Sequence, residues 1–437
     1  MAWPTPGTAA RGRWFRAACE LAVGASVAAI LLHTWLIAGL MLPIVAASGS
    51  MAPAVLGPHR LVKCDRCDAT IPIGLDQSSA RSYFPCPNCR NGRLSLASGT
   101  DRPGDRLLIN RAAYFFRQPR RWEIVVARAP TDASHWSLKR IVGRPGEALQ
   151  IRDGDVYIDG RIARKDLRQQ LVLARLVHRH RAGGDDSRWR PDSETSRWQA
   201  GASGDGSFEI ADSEVSTADD SPDDSPVDWL RYHHPDGQPV RDEESYSEGA
   251  SRMLNDVPDV MITARIRLHG QGQLWLAGHD GYHEYLAAVD PQAGTVALYQ
   301  GEQLLAESGG SGRWTDRERT IVFSLFDRQI LVAANDRVLL RHLLAVPSHR
   351  PQPTARPLAI GTVGLAVSLR EVAVWRDIYY TSPRGRSTSG IASPSRLATE
   401  QWFVLGDHSA VSKDSRTWPA GGALHSKLLL GKPLGVE

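Results

Sequence analysis

The apolar pattern divides the chain into one long uninterrupted run and many short alternating ones. No Asp, Glu, Lys or Arg occurs between Leu21 and His59. Leu21 to Leu42 would form ~33 Å of helix, against ~30 Å for the hydrocarbon core of a bilayer. Pro43 is expected to end or bend that helix. The run is longer than the ~7–15 apolar residues of a cleavable signal peptide, although Ala46, Ala47 and Ser48 are small. Arg11, Arg13 and Arg16 precede it, which places residues 1–20 in the cytoplasm, 21–43 in the membrane and the rest outside. No other stretch approaches that length, so a single span is expected.

Most of the remainder alternates with a period of two, and the fold class expected is mainly β. Leu107–Asn110, Glu123–Ala127 and Val156–Asp159 are short strands between Gly, Pro and Asp turns. Residues 166–227 are Arg-rich and then acidic. His178, Arg179, His180 and Arg181 suggest a solvated basic linker rather than a metal or anion site. Nine acidic residues and no basic one occur from Ser203 to Asp228 inclusive, Asp219, Asp220, Asp223 and Asp224 among them, a loop with calcium binding as the alternative. Over 228–380 strands recur at near-regular spacing: Ile262–Leu268, Leu274–Ala277, Glu284–Val289, Val296–Tyr299, Ile321–Phe326, Ile330–Ala334, Gly364–Ser368 and Val372–Tyr379. That spacing predicts a β-sandwich. Its closing strands, around Gly361–Val367 and Val372–Ile378, resemble those of concanavalin-like lectin and laminin-G jelly rolls. Residues 381–395 have the composition of a second linker.

Composition changes the picture in two places. The 437 residues carry 52 Lys+Arg and 48 Asp+Glu, and a net charge of +4 gives no reason to expect a nucleic-acid partner. Only six of those basic residues are lysine: Lys63, Lys139, Lys165, Lys413, Lys427 and Lys432. Arginine keeps its proton at all accessible pH, whereas a buried lysine can lose it, so a buried-looking lysine is a candidate for proton chemistry. Four of the five cysteines form Cys64-x2-Cys67 and Cys86-x2-Cys89, across a gap of 18 residues. Two such knuckles can close a tetrahedral zinc site over 60–95. Two disulfides are the alternative on the oxidising side of a membrane. Four thiolates leave no open position, so such a zinc would be structural. Cys19, at the edge of the span, reads as a small apolar residue.

The chemistry is carried by four ordered blocks. Ser48-Gly49-Ser50-Met51-Ala52-Pro53 follows the apolar run, and Gly104-Asp105 opens a strand. Lys139-Arg140-Ile141-Val142-Gly143-Arg144-Pro145-Gly146 comes next. Gly406-Asp407-His408 and Ser412-Lys413-Asp414-Ser415-Arg416 lie near the C-terminus. In this order the blocks resemble the type I signal peptidases, membrane-anchored Ser-Lys endopeptidases with a mostly β catalytic domain. The resemblance implies a discontinuous peptidase domain, 48–165 and 396–437, with the cysteine ribbon and the sandwich as insertions. By the same resemblance Ser50 is the nucleophile, Lys139 the general base and Ser48 a side-chain donor to the oxyanion. Ser412 orients the lysine, and Asp414 and Arg416 form a structural ion pair in the block region that also holds Asp407. The chain departs from the family pattern at His408, where Asn is usual, at Ala54, where Thr is common, and at Pro419, where Gly is usual.

The implied activity is cleavage of N-terminal signal peptides from exported precursors at the cell (inner) membrane, with no cofactor for catalysis. The implied partners are those precursors, with small residues at the first and third positions before the cut, membrane lipid, and a glycan or protein ligand for the sandwich. Leu138, Ile141 and Val142 around Lys139 suit the apolar wall that a lysine base needs to lower its pKa from ~10.4. The rival readings are an inactive tethered binding module and a self-cleaving repressor-type Ser-Lys peptidase. Intact Ser48, Ser50 and Lys139 speak against the first, and the apolar span against the second. Placed between blocks, the sandwich is expected to be dispensable: removal of residues 170–392 should leave small-peptide cleavage intact.

Overall fold

The protein is described here from a computed structural model, over residues 6–75, 83–90, 93–130, 132–180, 188–201, 206–211, 226–247, 253–310, 312–381, 391–419 and 422–436. It is mainly β, with one N-terminal apolar helix. The helix runs Pro6–Leu31, widens into a π-helical turn over Leu32–Ile37 and closes with Ala38–Leu40. Among the described residues one helical stretch, Trp14–Trp35, is long and apolar enough to cross a membrane.

The apolar helix therefore ends before Leu42. Met41–Val45 is instead a strand, antiparallel to Arg106–Asn110. The expectation that Pro43 terminates a helix fails because this segment finds a sheet partner. It lies at the edge of that sheet, where a residue without an N–H is tolerated. The sheet has seven strands, in the order Met41–Val45, Arg106–Asn110, Leu429–Leu434, Ile124–Ala129, Asp132–Gly143, Gln401–Leu405 and Leu424–His425. Sequence-distant blocks thus become neighbours: Val404 pairs with Ile141, and Leu405 with Arg140. A four-stranded sheet, Ala148–Arg152 with Asp155–Ile158, Arg161–Ile162 and Ile391–Arg396, packs beside it. The strand Ile391–Arg396 corrects the linker reading of 381–395 in part; residues 382–390 lie outside the described ones.

The cysteine segment forms a small unit of its own. His59–Lys63 pairs with Thr70–Gly74 and Thr100–Arg102, and Tyr83–Pro85 pairs with Arg93–Ser95. The four buried cysteines pack with Val62, Phe84 and Leu94.

The sandwich is larger than its sequence suggests. Ile262–Leu268 and Leu274–Ala277 are parts of one strand, Val260–His279. The two late segments likewise fuse into Leu358–Arg376. These two strands pair along most of their length, with register shifts that let one continuous sheet of 13 strands wrap around a single core. The linker reading of 166–227 is overturned over its described part. Asp166 and Gln169 form a capping box that starts the helix Leu167–Leu173. Arg175–Arg179, Trp189–Pro191 and Phe208–Ile210 are strands of the 13-stranded sheet. His178 is fully buried, not solvated. The arginines disguise these strands, but Trp189, Trp198 and Phe208 supply their apolar anchors in the core. The acidic residues Asp219, Asp220, Asp223 and Asp224 lie outside the described residues.

The sandwich and the segment after Gln401–Leu405 are in contact. Arg175 lies against Asp407, and Thr381 accepts a hydrogen bond from Arg416 through its carbonyl at 2.6 Å. Excision of 170–392 would remove both contacts.

Candidate active site

Ser50 sits on a tight turn, Gly49–Met51, just beyond the edge strand. Lys139 lies in the strand Asp132–Gly143, opposite Val125. The turn is pinned from behind. Asp105 accepts the Leu56 N–H through its carboxylate at 2.7 Å, and its own carbonyl accepts the Ala46 N–H at 2.9 Å. The Gly104-Asp105 block thus holds both limbs of the serine loop.

Lys139 Nζ is 3.2 Å from Ser50 Oγ and 3.0 Å from the Leu138 carbonyl. The lysine is 2% exposed. Burial pushes its pKa down to about 8; Asp414 and Asp407 pull upward, and Arg416 pushes further down. Ser50 is half-buried and Ser48 exposed, with Ser48 Oγ 3.4 Å from Ser50 Oγ. A cleft of about 390 Å³ opens over both groups, walled by Ile44, Met51, Trp136 and Val411.

Side chains alternate along a strand, so Arg140 points the opposite way from Lys139. It is fully buried and makes a two-pronged ion pair with Asp407, at 2.7 and 2.6 Å. Burial alone would raise the Asp407 carboxyl, but Arg140 and Arg175 hold it below its usual value. Asp414 and Arg416 form a second buried pair at 2.7 Å, and Asp414 also accepts the Gly406 N–H at 2.9 Å. Ser412 does not reach Lys139. Its Oγ is buried without a hydrogen-bond partner, beside Gly406. A Cβ at Gly406 would overlap both Ser412 and the Ser50 backbone, which accounts for glycine there.

The structure thus gathers Ser48, Ser50 and Lys139 at one cleft and sets Asp407, Asp414, Arg416 and Ser412 behind it. Sequence reasoning missed Arg140, Arg175, Glu244 and Arg376, which link the cleft to the sandwich. Glu244 meets Arg376 at 2.7 Å and Arg175 at 3.8 Å. The only signal was Asp407 itself, a carboxylate in a block of small residues that requires a cation.

Two clusters have metal-ligand chemistry. The ligand atoms of Cys64, Cys67, Cys86 and Cys89 lie within 4.8 Å of one another. Sγ–Sγ separations of 3.7 Å (Cys64–Cys89) and 3.8 Å (Cys67–Cys86) exclude a bond between these sulfurs. They match the ~3.8 Å edge of a tetrahedron with Zn–S ≈ 2.3 Å. Asp155, Asp259, Asp327 and Asp377 form the other cluster. There Lys165 supplies the countercharge, 2.5 Å from Asp327 and 2.8 Å from Asp377.

Comparisons of sequence with known proteins point to one family over part of the chain. Residues 95–222 match the family profile "Signal peptidase, peptidase S26", a match that includes Lys139. Signal peptidase I T of Bacillus subtilis is 34% identical over 58 residues, 13% of this chain and 30% of its own. Probable signal peptidase I-2 of a Synechocystis strain is 41% identical over 64 residues, 13% of this chain and 29% of its own. The chain therefore spans about a third of the length of the curated relatives it matches. A carbohydrate-binding module from Bacillus subtilis aligns over 43% of this chain and 94% of its own, at 11% identity and a TM-score of 0.28. That likeness is too slight to bear on the ligand of the sandwich.

Proposed function

We propose that the chain is a membrane-bound serine endopeptidase that removes signal peptides from exported precursors. The observation that carries this reading is a fully buried lysine amine 3.2 Å from a cleft-facing serine hydroxyl. A serine is nucleophilic only when a base within ~2.6–3.2 Å takes its proton. A lysine with its pKa lowered to about 8 is neutral often enough to serve.

Neutral Lys139 takes the Ser50 proton as Oγ bonds to the scissile carbonyl carbon. The oxyanion is met by the Ser50 N–H and the Ser48 hydroxyl, each donor of this kind being worth about 2.7–4 kcal/mol. The carbon–nitrogen bond then breaks, and the Lys139 ammonium gives its proton to the departing amine. Water attacks the Ser50 ester with Lys139 again as base, and the proton returns to Ser50 Oγ. Arg140–Asp407 ties the strand of Lys139 to the segment after Gln401–Leu405, and Asp414–Arg416 holds that segment behind the cleft. Ser412, to which the resemblance gives the role of orienting Lys139, has a buried hydroxyl beside Gly406.

The helix Trp14–Trp35 is a single anchor with the N-terminus in the cytoplasm and the peptidase outside. The four cysteines hold a structural zinc that takes no part in the chemistry. Metal analysis of the purified chain should find about one zinc with four free thiols; a disulfide between any two of these cysteines counts against it. The sandwich offers a surface for a glycan or protein. The decisive experiment incubates the detergent-purified chain with a signal-bearing precursor beside its Ser50→Ala variant. Cleavage that survives Ser50→Ala would falsify the reading.

A further inference from the structure

The 13-stranded insertion reaches the back of the serine loop through Tyr246. Tyr246 lies on the short turn Ser245–Ser247, before the first long strand of the sandwich. It is 2% exposed. Its ring occupies a slot between two glycines of other units: a Cβ at Gly49 or at Gly74 would overlap it. Gly49 is the residue before Ser50, and Gly74 ends the strand Thr70–Gly74 of the cysteine unit. The hydroxyl of Tyr246 donates to the Pro58 carbonyl at 3.0 Å, on the returning limb of the serine loop. That limb already presses on the loop's start, since a Cβ at Gly57 would overlap the Ser48 backbone. The ring also meets His408 edge-on, with centroids 6.3 Å apart. The His408 N–H in turn donates to the Ser50 carbonyl at 3.1 Å.

Tyr246 therefore touches both limbs of the serine loop and the residue that holds Ser50 from the far side. Its own backbone is held by a chain of charges. Glu244, two residues earlier, pairs with Arg376 and lies near Arg175, and Arg175 reaches Asp407 at 3.3 Å. Asp407 is bound by Arg140, next in sequence to Lys139. None of Arg175, Glu244, Tyr246 and Arg376 falls in the four sequence blocks.

We propose that Tyr246 is a positioning residue for the proposed Ser50 nucleophile: wedged between Gly49 and Gly74 and tied to Pro58, it sets the loop so that Ser50 Oγ stands against Lys139. The proposal rests on the endopeptidase reading of this site. It explains why His rather than Asn follows Gly406-Asp407: an imidazole gives the tyrosine ring an aromatic edge, which a carboxamide does not. It also makes the insertion part of the working peptidase, because the wedge that shapes the loop is built on it.

The test compares the full chain with Tyr246→Ala, Tyr246→Phe and Gly49→Ala on a signal-peptide substrate. Misplacement of a reacting group by about 1 Å costs on the order of 10²-fold. Tyr246→Ala should therefore lower kcat by about 10- to 100-fold, with KM changed by less than about threefold, since the ring is behind the cleft and away from substrate. Tyr246→Phe keeps the wedge and loses one hydrogen bond, so it should stay within about fivefold of wild type. Gly49→Ala should lower kcat from the opposite side of the slot, and adding Tyr246→Ala to it should cost little more. If Tyr246→Ala does not fold, Tyr246→Leu carries the same comparison. A Ser50-dependent wild type matched in kcat by a folded Tyr246→Ala or Tyr246→Leu overturns the positioning role alone. A wild type whose cleavage survives Ser50→Ala overturns the endopeptidase reading as well.

Discussion

Two lysines in this molecule are equally hidden and behave in opposite ways. Lys139, in the seven-stranded sheet, is 2% exposed; Lys165, at the seam with the sandwich, is 3% exposed. Lys139 touches a serine hydroxyl and a backbone carbonyl, and burial lowers its pKa to about 8. Burial would lower Lys165 too, but Asp327 and Asp377 in direct contact hold it above its ordinary value. Burial alone therefore does not make a base. What matters is whether the counter-charge is in contact or is itself already neutralised. The carboxylates near Lys139 belong to this second kind, since Asp414 is held by Arg416 and Asp407 by Arg140. The arginines beside the site absorb the charge that would otherwise keep Lys139 protonated.

The sharpest way to break this comparison is to swap the cation. Lys139→Arg keeps charge and bulk but cannot become neutral. It should lower precursor cleavage by at least about 10³-fold, as should Lys139→Ala, because nucleophile and base act as a unit. Recovery of a tenth or more of the wild-type rate by Lys139→Arg would end the case for a lysine base. Next in size is the opposite lysine. Lys165→Met leaves Asp327 and Asp377 buried without their cation, which costs about 3–5 kcal/mol in comparable pairs. Urea unfolding at neutral pH should show it; a loss under about 1 kcal/mol would mean that the two lysines do not differ as described. The sign of the linkage follows from the raised folded-state pKa of Lys165: its contribution is full below the unfolded value of ~10.4 and fades as pH rises through the folded one. The smallest effect is graded. The value of kcat/KM should rise with pH at about tenfold per unit and level off near 8, where Lys139 loses its proton. His408→Ala should leave the position of that limb in place. A limb near ~6.5 that vanishes in His408→Ala would transfer the role to a histidine.

The catalytic sheet was legible because its signals are local. Alternation located its strands near Leu107 and Glu123, and the strand near Val156 in the four-stranded sheet beside it, and the blocks around Ser50 and Lys139 lie in short stretches of chain. The apolar run announced a helix but not its end, since whether Met41–Val45 continues the helix or pairs with Arg106–Asn110 depends on a partner 65 residues later in the chain. The strand Arg175–Arg179 was hidden by composition. Arg175 and His178 are buried, one against the carboxylate of Asp407 and the other against the ring of Tyr232, so polarity there marks pairing and not solvent. Tyr246 had no signal at all, because a tyrosine in a polar segment becomes a wedge only when Gly49 and Gly74 are brought to either side.

The edge strand Met41–Val45 carries one more consequence. It joins the apolar helix to the catalytic sheet with no slack: Leu40 accepts the Arg111 N–H at 2.8 Å, and the next five residues are hydrogen-bonded along Arg106–Asn110. Five residues of strand span about 17 Å, and Ser50 lies five residues beyond Val45. In a chain anchored by that helix, the serine is held at a fixed altitude above the lipid, as on the arm of a gauge. Under the proposed reading, a precursor tethered in the same bilayer would present only the bonds that stand at that height, so the reach of its own chain would decide where it is cut before any pocket reads its side chains.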